Sequence, residues 1–404
     1  VTAGTEWPHI VLLEPFNAGL ALARRMTALG ARVTVVLQPG HTLIGRSRGV
    51  ESIVVPCEPA GEPWLETLQR LAGRGEEIAV LPASDRACEF LVHALPKLPD
   101  NVLAFERLDG AHLKLMDKHE ADAIATRAGV RVPWTMPVGD PQQLAAAAEV
   151  APWPCVIKPV LSHEWRERYG QERVFLVADA DEAAELLARP FADGFPMLLM
   201  QYVPGGDEQL EEATVVRLAD GSYPVRWGCR KLRQYPPGFG ATTVAESAPV
   251  PEAMEIAERV LDEAGFVGVA NVETKRHADT GENWFLEVNV RLPGHWGLGD
   301  ACGVQCSQRL LAALLGRPLG PQPPLRAGVR VVFPELDKRV VGPMLAGAPA
   351  WRRPALAWRL AQSYRGTREL GMFDPRDPGP ALALAGDFTR RRLAGLAARV
   401  QKSP

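Results

Sequence analysis

Short apolar runs alternate with amphipathic stretches through the first hundred residues. HIVLLE (9–14), RVTVVL (32–37), SIVVP (52–56), IAVLP (78–82) and NVLAF (101–105) predict strands. The stretches between them, up to Leu29, from about Trp64, and DRACEFLVHAL (85–95), carry helical spacing. That alternation predicts a parallel sheet with helices on both faces. EPFNAG, rather than GxGxxG, follows the first strand, so the glycine fingerprint of a dinucleotide site is missing.

From Asp109 the pattern changes. DGAHLKLMDKHEADAIATRAGVRVP predicts one helix ending at Gly129, with a proline beyond it. WPCVIKPV, ERVFLVAD and PMLLMQYVPGG predict strands, with a helix through EAAELLA. ATVVRLADGSYPVRWGCRKLR predicts a hairpin turning at Asp220-Gly221. After a helix over 252–264, GVANVETKRHADTGENWFLEVNV predicts a second hairpin turning near Thr280-Gly281. Residues 303–315 have amphipathic helical spacing. Few parallel units remain here, which points to an α+β half built on antiparallel sheet. Beyond Gly316 the chain is rich in Pro, Gly, Ala and Arg; RAGVRVVFPE and ALALAGD read as short strands and WRRPALAWRLAQSYRG as partly helical. Four segments follow: 1–108, 109–205, 206–324 and a C-terminal extension, 325–404.

Composition narrows the function classes. The 404 residues are 47% hydrophobic and carry a net charge of −3, with no basic block, so no nucleic-acid partner is expected. The arginines near Thr389 to Arg392 read as a solvated helix end. No apolar run approaches the ~20 residues of a membrane span, and VTAGTEWPHIVLLE does not have the pattern of a signal peptide. Six scattered cysteines with no CxxC predict reduced thiols and a cytoplasmic protein. Cys302 and Cys306 lie one helical turn apart, but no further ligands are evident beside them.

The chemistry gathers on strand edges. In WFLEVNVRLPGHW, Glu287, Asn289 and Arg291 fall at alternate positions and so share a face if the strand persists. Glu273, in GVANVETK, belongs to the partner strand. Two carboxylates about 4 Å apart repel by roughly 4 kcal/mol at an effective dielectric near 20. Mg²⁺ offsets this with oxygen ligands, and an Asn carbonyl beside a Glu suits it. Taken alone, the strand reads equally well as a surface carrying cross-strand ion pairs. Lys158 interrupts the apolar run CVIKPV, where it needs a partner at the strand end. Lys118 opens a helix, and Arg230, Lys231 and Arg233 crowd the end of the first hairpin. Cations on some strands and acids on others are what a triphosphate with Mg²⁺ demands.

In their order along the chain, Lys118, VIKP, LLMQYVPGG, VETK and FLEVNVR resemble the ATP-grasp enzymes, from about Asp109 to Gly316. GCRKLRQYPPGFG and LEVNVRLPGHW are most similar to a subgroup related to carbamoyl-phosphate synthetase domains and D-aspartate ligases. The resemblance implies a pre-ATP-grasp α/β domain, then two α+β grasp subdomains, then the extension. It implies ATP and Mg²⁺, two ions expected with Mn²⁺ as an alternative. Lys118 and Lys158 would bind phosphates. Gln201, Tyr202 and Val203 would meet adenine, with the Gln201 carbonyl accepting its amino proton in place of the family's more common Glu. Glu208, or less favourably Asp207, would hold the ribose. Glu273, Glu287 and Asn289 would hold the metal, and Lys231 and Arg291 the moving γ-phosphoryl group. VLSHEWRERYGQERV stands where the family has a glycine-rich loop, with Ser162, His163 and Arg166 as substitute phosphate contacts.

The activity implied is ADP-forming carboxylate–amine ligation through an acylphosphate, on an amino acid or small natural-product carboxylate. Arg233 and His295 are candidate substrate contacts, with Trp296 and Tyr235 nearby. The loop after Lys158 and RQYPPGFG are candidate covers over the site. Small-molecule substrates and a homodimer are the expected partners. A carboxylating ATP-grasp enzyme and a non-catalytic ATP sensor remain alternative readings.

Overall fold

The computed structural model describes residues 7–57, 61–106, 110–160, 162–170 and 173–400, with the side chains of 162, 163, 166, 167 and 391–400 left aside. Three sheets organise them. The first is wholly parallel: β1 (His9–Leu13), β2 (Val33–Leu37), β3 (Val50–Val54), β4 (Ile78–Pro82) and β5 (Val102–Leu103), in the order β3-β2-β1-β4-β5. β1, β2 and β4 are buried throughout, as a sheet covered on both faces requires.

The second sheet holds β6 (Thr135–Val138), β7 (Cys155–Pro159), β8 (Phe175–Val177) and β9 (Met197–Gln201), ordered β6-β9-β7-β8. The third is seven-stranded: β10 (Leu210–Arg217), β11 (Val225–Tyr235), β12 (Ala241–Ser247), β13 (Gly268–Arg276), β14 (Asn283–Asn289), β15 (Arg330–Val332) and β16 (Thr367–Glu369), ordered β14-β13-β10-β11-β12-β15-β16. β15 and β16 come from beyond residue 325, so the C-terminal extension completes this sheet.

Strand alternation separates core from site. Ala213 and Val215 of β10 and Ala270 and Val272 of β13 pack in one core with Ala257 and Leu261 of the helix Pro251–Glu263. The residues that alternate with them, Glu212, Asn271 and Glu273, face the opposite side.

Three local expectations are corrected. The helix expected to run unbroken to Gly129 is two, Ala111–Met116 and Lys118–Arg127, divided at Asp117. Asp117 caps the second by accepting from the backbone N–H of His119 (2.8 Å) and Glu120 (3.1 Å). The glycine-poor stretch after Lys158 forms the helix Ser162–Tyr169, whose Trp165 is buried against Phe195. ALALAGD lies inside the helix Gly379–Val400, since Ala and Leu favour helix whatever their alternation.

Cys88, Glu106 and His112 form a buried trio whose ligand atoms fall within 4.8 Å of one another. Glu106 Oε2 has no hydrogen-bond partner among the described residues, and burial pushes the carboxyl up to about 7. A raised carboxyl pKa adds stability below its unfolded value and loses it as pH climbs through the folded value. Glu106→Gln is therefore expected to raise the melting temperature at pH 8 and change it little at pH 4.5. Calorimetry at the two pH values checks this, and equal shifts at both would refute it.

Candidate functional site

β10, β13 and β14 lie side by side in antiparallel register, with Glu212 opposite Glu273 and Glu273 opposite Glu287. Three acids thus form one rank across three strands. The next rank holds Thr214, Asn271 and Asn289. A β-bulge at Leu286 gives β14 one extra residue, and both Leu286 and Glu287 reach the cavity.

Lys231, from β11, enters this rank. Its Nζ donates to Glu273 Oε2 at 2.6 Å and lies 3.5 Å from Glu212 Oε1. Asn271 Nδ2 donates to Glu212 Oε2 at 2.7 Å, and His295 Nε2 lies 3.3 Å from the same oxygen. Three carboxylates against one ammonium leave the rank negative. Burial first, with Glu287 and Glu212 adding to it, raises the Glu273 carboxyl despite Lys231. At Glu287 burial also pushes upward, but Lys118, Lys158, Lys231 and Arg173 outweigh it and hold that carboxyl well down.

The rank forms one wall of a cavity of about 500 Å³. The facing wall is the four-stranded sheet. Ile157 of β7 packs in that sheet's core, while Val156 and Lys158 point into the cavity. Lys118, first residue of its helix, joins them, and burial followed by the nearby Lys158 lowers its pKa to about 8. Gln201, Tyr202 and Val203 line the end beside β9. Tyr235 to Gly240 pass along the cavity with Phe239 against Tyr202, where a cover was expected.

Arg291 lies past the end of β14. Its Nε donates to Asp85 Oδ1 at 2.6 Å and an Nη to Asn289 Oδ1 at 3.2 Å. Asp85 begins the helix Asp85–Ala94, so the N-terminal domain holds the guanidinium in place. Glu287, Asn289 and Arg291 are linked along one edge, the Asn289 amide donating to Glu287 Oε1 at 3.5 Å.

Several expected contacts differ. Arg233 does not reach the cavity. Its guanidinium forks onto Asp337 at 2.8 and 2.9 Å and donates to Ser363 Oγ at 2.6 Å, all in the C-terminal extension. Register shifts on either side of Arg233 turn it away from the face that Lys231 occupies. Gln201 Oε1, expected at adenine, accepts from the Trp134 backbone N–H at 3.3 Å. Glu208 is exposed on the turn Asp207–Gln209, outside the cavity lining, and Asp207 accepts from Gln234 at 2.8 Å. The side chains of Ser162, His163 and Arg166 fall outside the described ones.

Sequence reasoning passed over Glu212, Asn271, Arg173, Lys275 and Asn17, all in the lining. Glu212 carried a signal, an acid inside the apolar strand LEEATVV, like the one that singled out Lys158. Asp85 carried none, since its role depends on contact with a strand two hundred residues away.

No family model and no curated relative matches the chain. Solved structures do. N5-carboxyaminoimidazole synthetase from Staphylococcus aureus complexed with ADP is 15% identical, aligned over 82% of this chain and 84% of that one, with TM-score 0.63. A biotin carboxylase from Campylobacter jejuni in a β-γ-ATP complex is 15% identical over 80% and 74%, with TM-score 0.59. L-amino acid ligase from Bacillus licheniformis is 19% identical over 77% and 75%, with TM-score 0.57. Identities this low establish architecture and nothing finer: the chain has the ATP-grasp fold.

Proposed function

We propose that the chain is an ADP-forming carboxylate–amine ligase. The observation that carries this is the rank Glu212, Glu273 and Glu287, negative despite Lys231 and facing Lys118 and Lys158 across one cavity. The rank supplies oxygen donors, buried and with an excess of negative charge, which fits Mg²⁺. Glu273, Glu287 and Asn289 would hold it. When bound, Mg²⁺ neutralises phosphate oxygens.

Gln201 to Val203 receive the base, and Lys118, Lys158 and Arg173 the phosphates. A substrate carboxylate oxygen attacks the γ-phosphorus, the bond to the β–γ bridging oxygen breaks, and ADP leaves. An amine nitrogen then attacks the acyl carbon, the bond to the phosphate oxygen breaks, and the nitrogen loses a proton as the amide forms. Lys231 and Arg291 stabilise charge on the moving phosphoryl group. His295 stands beside Glu212 at the acceptor side. Tyr235 to Gly240 keep water from the acylphosphate. The biotin carboxylase domain of the Hydrogenobacter thermophilus 2-oxoglutarate carboxylase, a structural neighbour, is a dimer, and a homodimer is part of the reading. Among the described residues no helix is long and apolar enough to cross a membrane.

ADP release from MgATP, measured over a panel of acids and amines offered singly and in pairs, tests the reading. Release that requires one acid with one amine supports it; no release with any pair sinks it. The likeness to a biotin carboxylase supports a second reading, with bicarbonate as the acid, which ADP release on bicarbonate would reveal. In the active pairing, Glu287→Gln is expected to raise the Mg²⁺ concentration for half-maximal rate by about tenfold or more, from loss of a charged ligand. A Mg²⁺ titration of the rate reads this directly.

A further inference from the structure

Besides the acid rank and the lysines, the cavity lining draws on three parts of the chain. Asn17, the first residue of the helix Asn17–Ala28, comes from the N-terminal domain. Gly294 and His295 come from the loop after β14. Phe333, Leu336 and Arg339 come from the C-terminal extension, the last two on the helix Pro334–Gly347. Leu336 and Arg339, three apart, share a helix face. Asp337 points elsewhere, fixed by Arg233 and by Thr243 Oγ1 at 2.7 Å. The helix is therefore anchored on one side and presents an apolar residue and a cation on another.

The polar atoms here are incomplete. Arg339 lies 5.5 Å from the Tyr235 ring centroid, and no carboxylate pairs with it among the described residues. Asn17 Nδ2 donates to Glu335 Oε1 at 3.5 Å, while Asn17 Oδ1 and Glu335 Oε2 are buried with no donor among the described residues. One guanidinium wants an anion, and two oxygens want N–H groups. An α-amino acid offers both on one carbon.

We propose that this junction is the acceptor subsite and takes a free α-amino acid, its carboxylate on Arg339 and its amino group toward Asn17, which Glu335 holds from behind. The assignment to the acceptor rests on the ligase reading. The donor's carboxylate is consumed at the phosphoryl end, beside Lys231 and Arg291. Arg339, a cation apart from Lys231 and Arg291, serves a carboxylate that is not activated and survives in the product. Tyr235, Phe333 and Leu336 surround the side chain, which favours an apolar acceptor.

Calorimetry on the full-length protein loaded with Mg²⁺ and a non-hydrolysable ATP analogue tests this, with the twenty common amino acids and their methyl esters as probes. At least one amino acid is expected to bind, and its ester at least tenfold more weakly. Arg339→Gln should abolish that preference and Arg339→Lys retain part of it, with analogue affinity unchanged in both. Arg339 is exposed, so neither variant threatens the fold. No binding by any amino acid, an ester binding as well as its acid, or a preference that survives Arg339→Gln would overturn the proposal. The two readings fail separately. ADP release on an acid and an amine without amino-acid binding sinks only the subsite; Arg339-dependent binding without ADP release on any pair sinks the ligase and with it the acceptor role, leaving an amino-acid site.

Discussion

Arg291→Ala is expected to slow ADP formation by about 10³-fold while leaving MgATP affinity within a few-fold, the signature of a cation that acts mainly on the transferring phosphoryl group. The structure gives the guanidinium two fixed partners, Asp85 at 2.6 Å and Asn289 at 3.2 Å, so it is held ready before substrate arrives. Little reorganisation is then needed as charge develops. Arg291→Lys should restore little, because one ammonium cannot hold both partners and a phosphoryl oxygen in a fork. Asp85→Asn should fall between them, since it loosens the guanidinium without removing it. Single-turnover ADP formation alongside equilibrium nucleotide binding separates these cases. If Arg291→Ala weakens nucleotide binding as much as it slows turnover, Arg291 is a ground-state contact and the assignment is wrong.

The second large effect is on stability. Asp337 is 1% exposed, and it accepts from Arg233, Thr243 and Tyr364. Burial pushes its carboxyl up, but the hydrogen bonds from Arg233, Tyr364 and Thr243 prevail and hold it below the usual range. Asp337→Ala strands the Arg233 guanidinium in a dry site. Breaking a buried pair from one side costs about 3–5 kcal/mol. The helix Pro334–Gly347 would lose its anchor, so acceptor affinity should fall along with the melting temperature. Arg233→Met with Asp337→Leu, which removes both charges, should recover much of the stability. Denaturant unfolding of the single and double variants checks this. A double variant no more stable than Asp337→Ala would show that the pair does not work as a unit.

The sequence disclosed the acid edge because Glu287, Asn289 and Arg291 obey a period of two, and a hairpin places Glu273 opposite them. Lys158 was legible because a cation inside an apolar strand needs a reason. Glu212 escaped although the same logic applies, because its role depends on which strand lies beside β13. Arg233 misled because alternation from Lys231 predicts a shared face, and a register shift is local backbone geometry with no sequence signature here. Position after Lys158 points to a loop where the structure has the helix Ser162–Tyr169, and composition is the better guide there. A stretch without an internal glycine, carrying a buried Trp165, favours helix. ALALAGD misled in the opposite way, since two-residue periodicity means little when the residues are Ala and Leu.

β15 and β16 lie outside β12 on the seven-stranded sheet. Residues 244–246 of β12 pair with β15, and β16 presents only Thr367–Glu369 as the final border. A fragment cut ahead of Arg330 would leave the backbone of Val244 and Ala245 bare along a hydrophobic edge, open to the strands of other molecules. Such a fragment should self-associate and precipitate, so exchanging tails between related chains to alter their substrates would have to carry β15 and β16 along with the helix that bears Arg339.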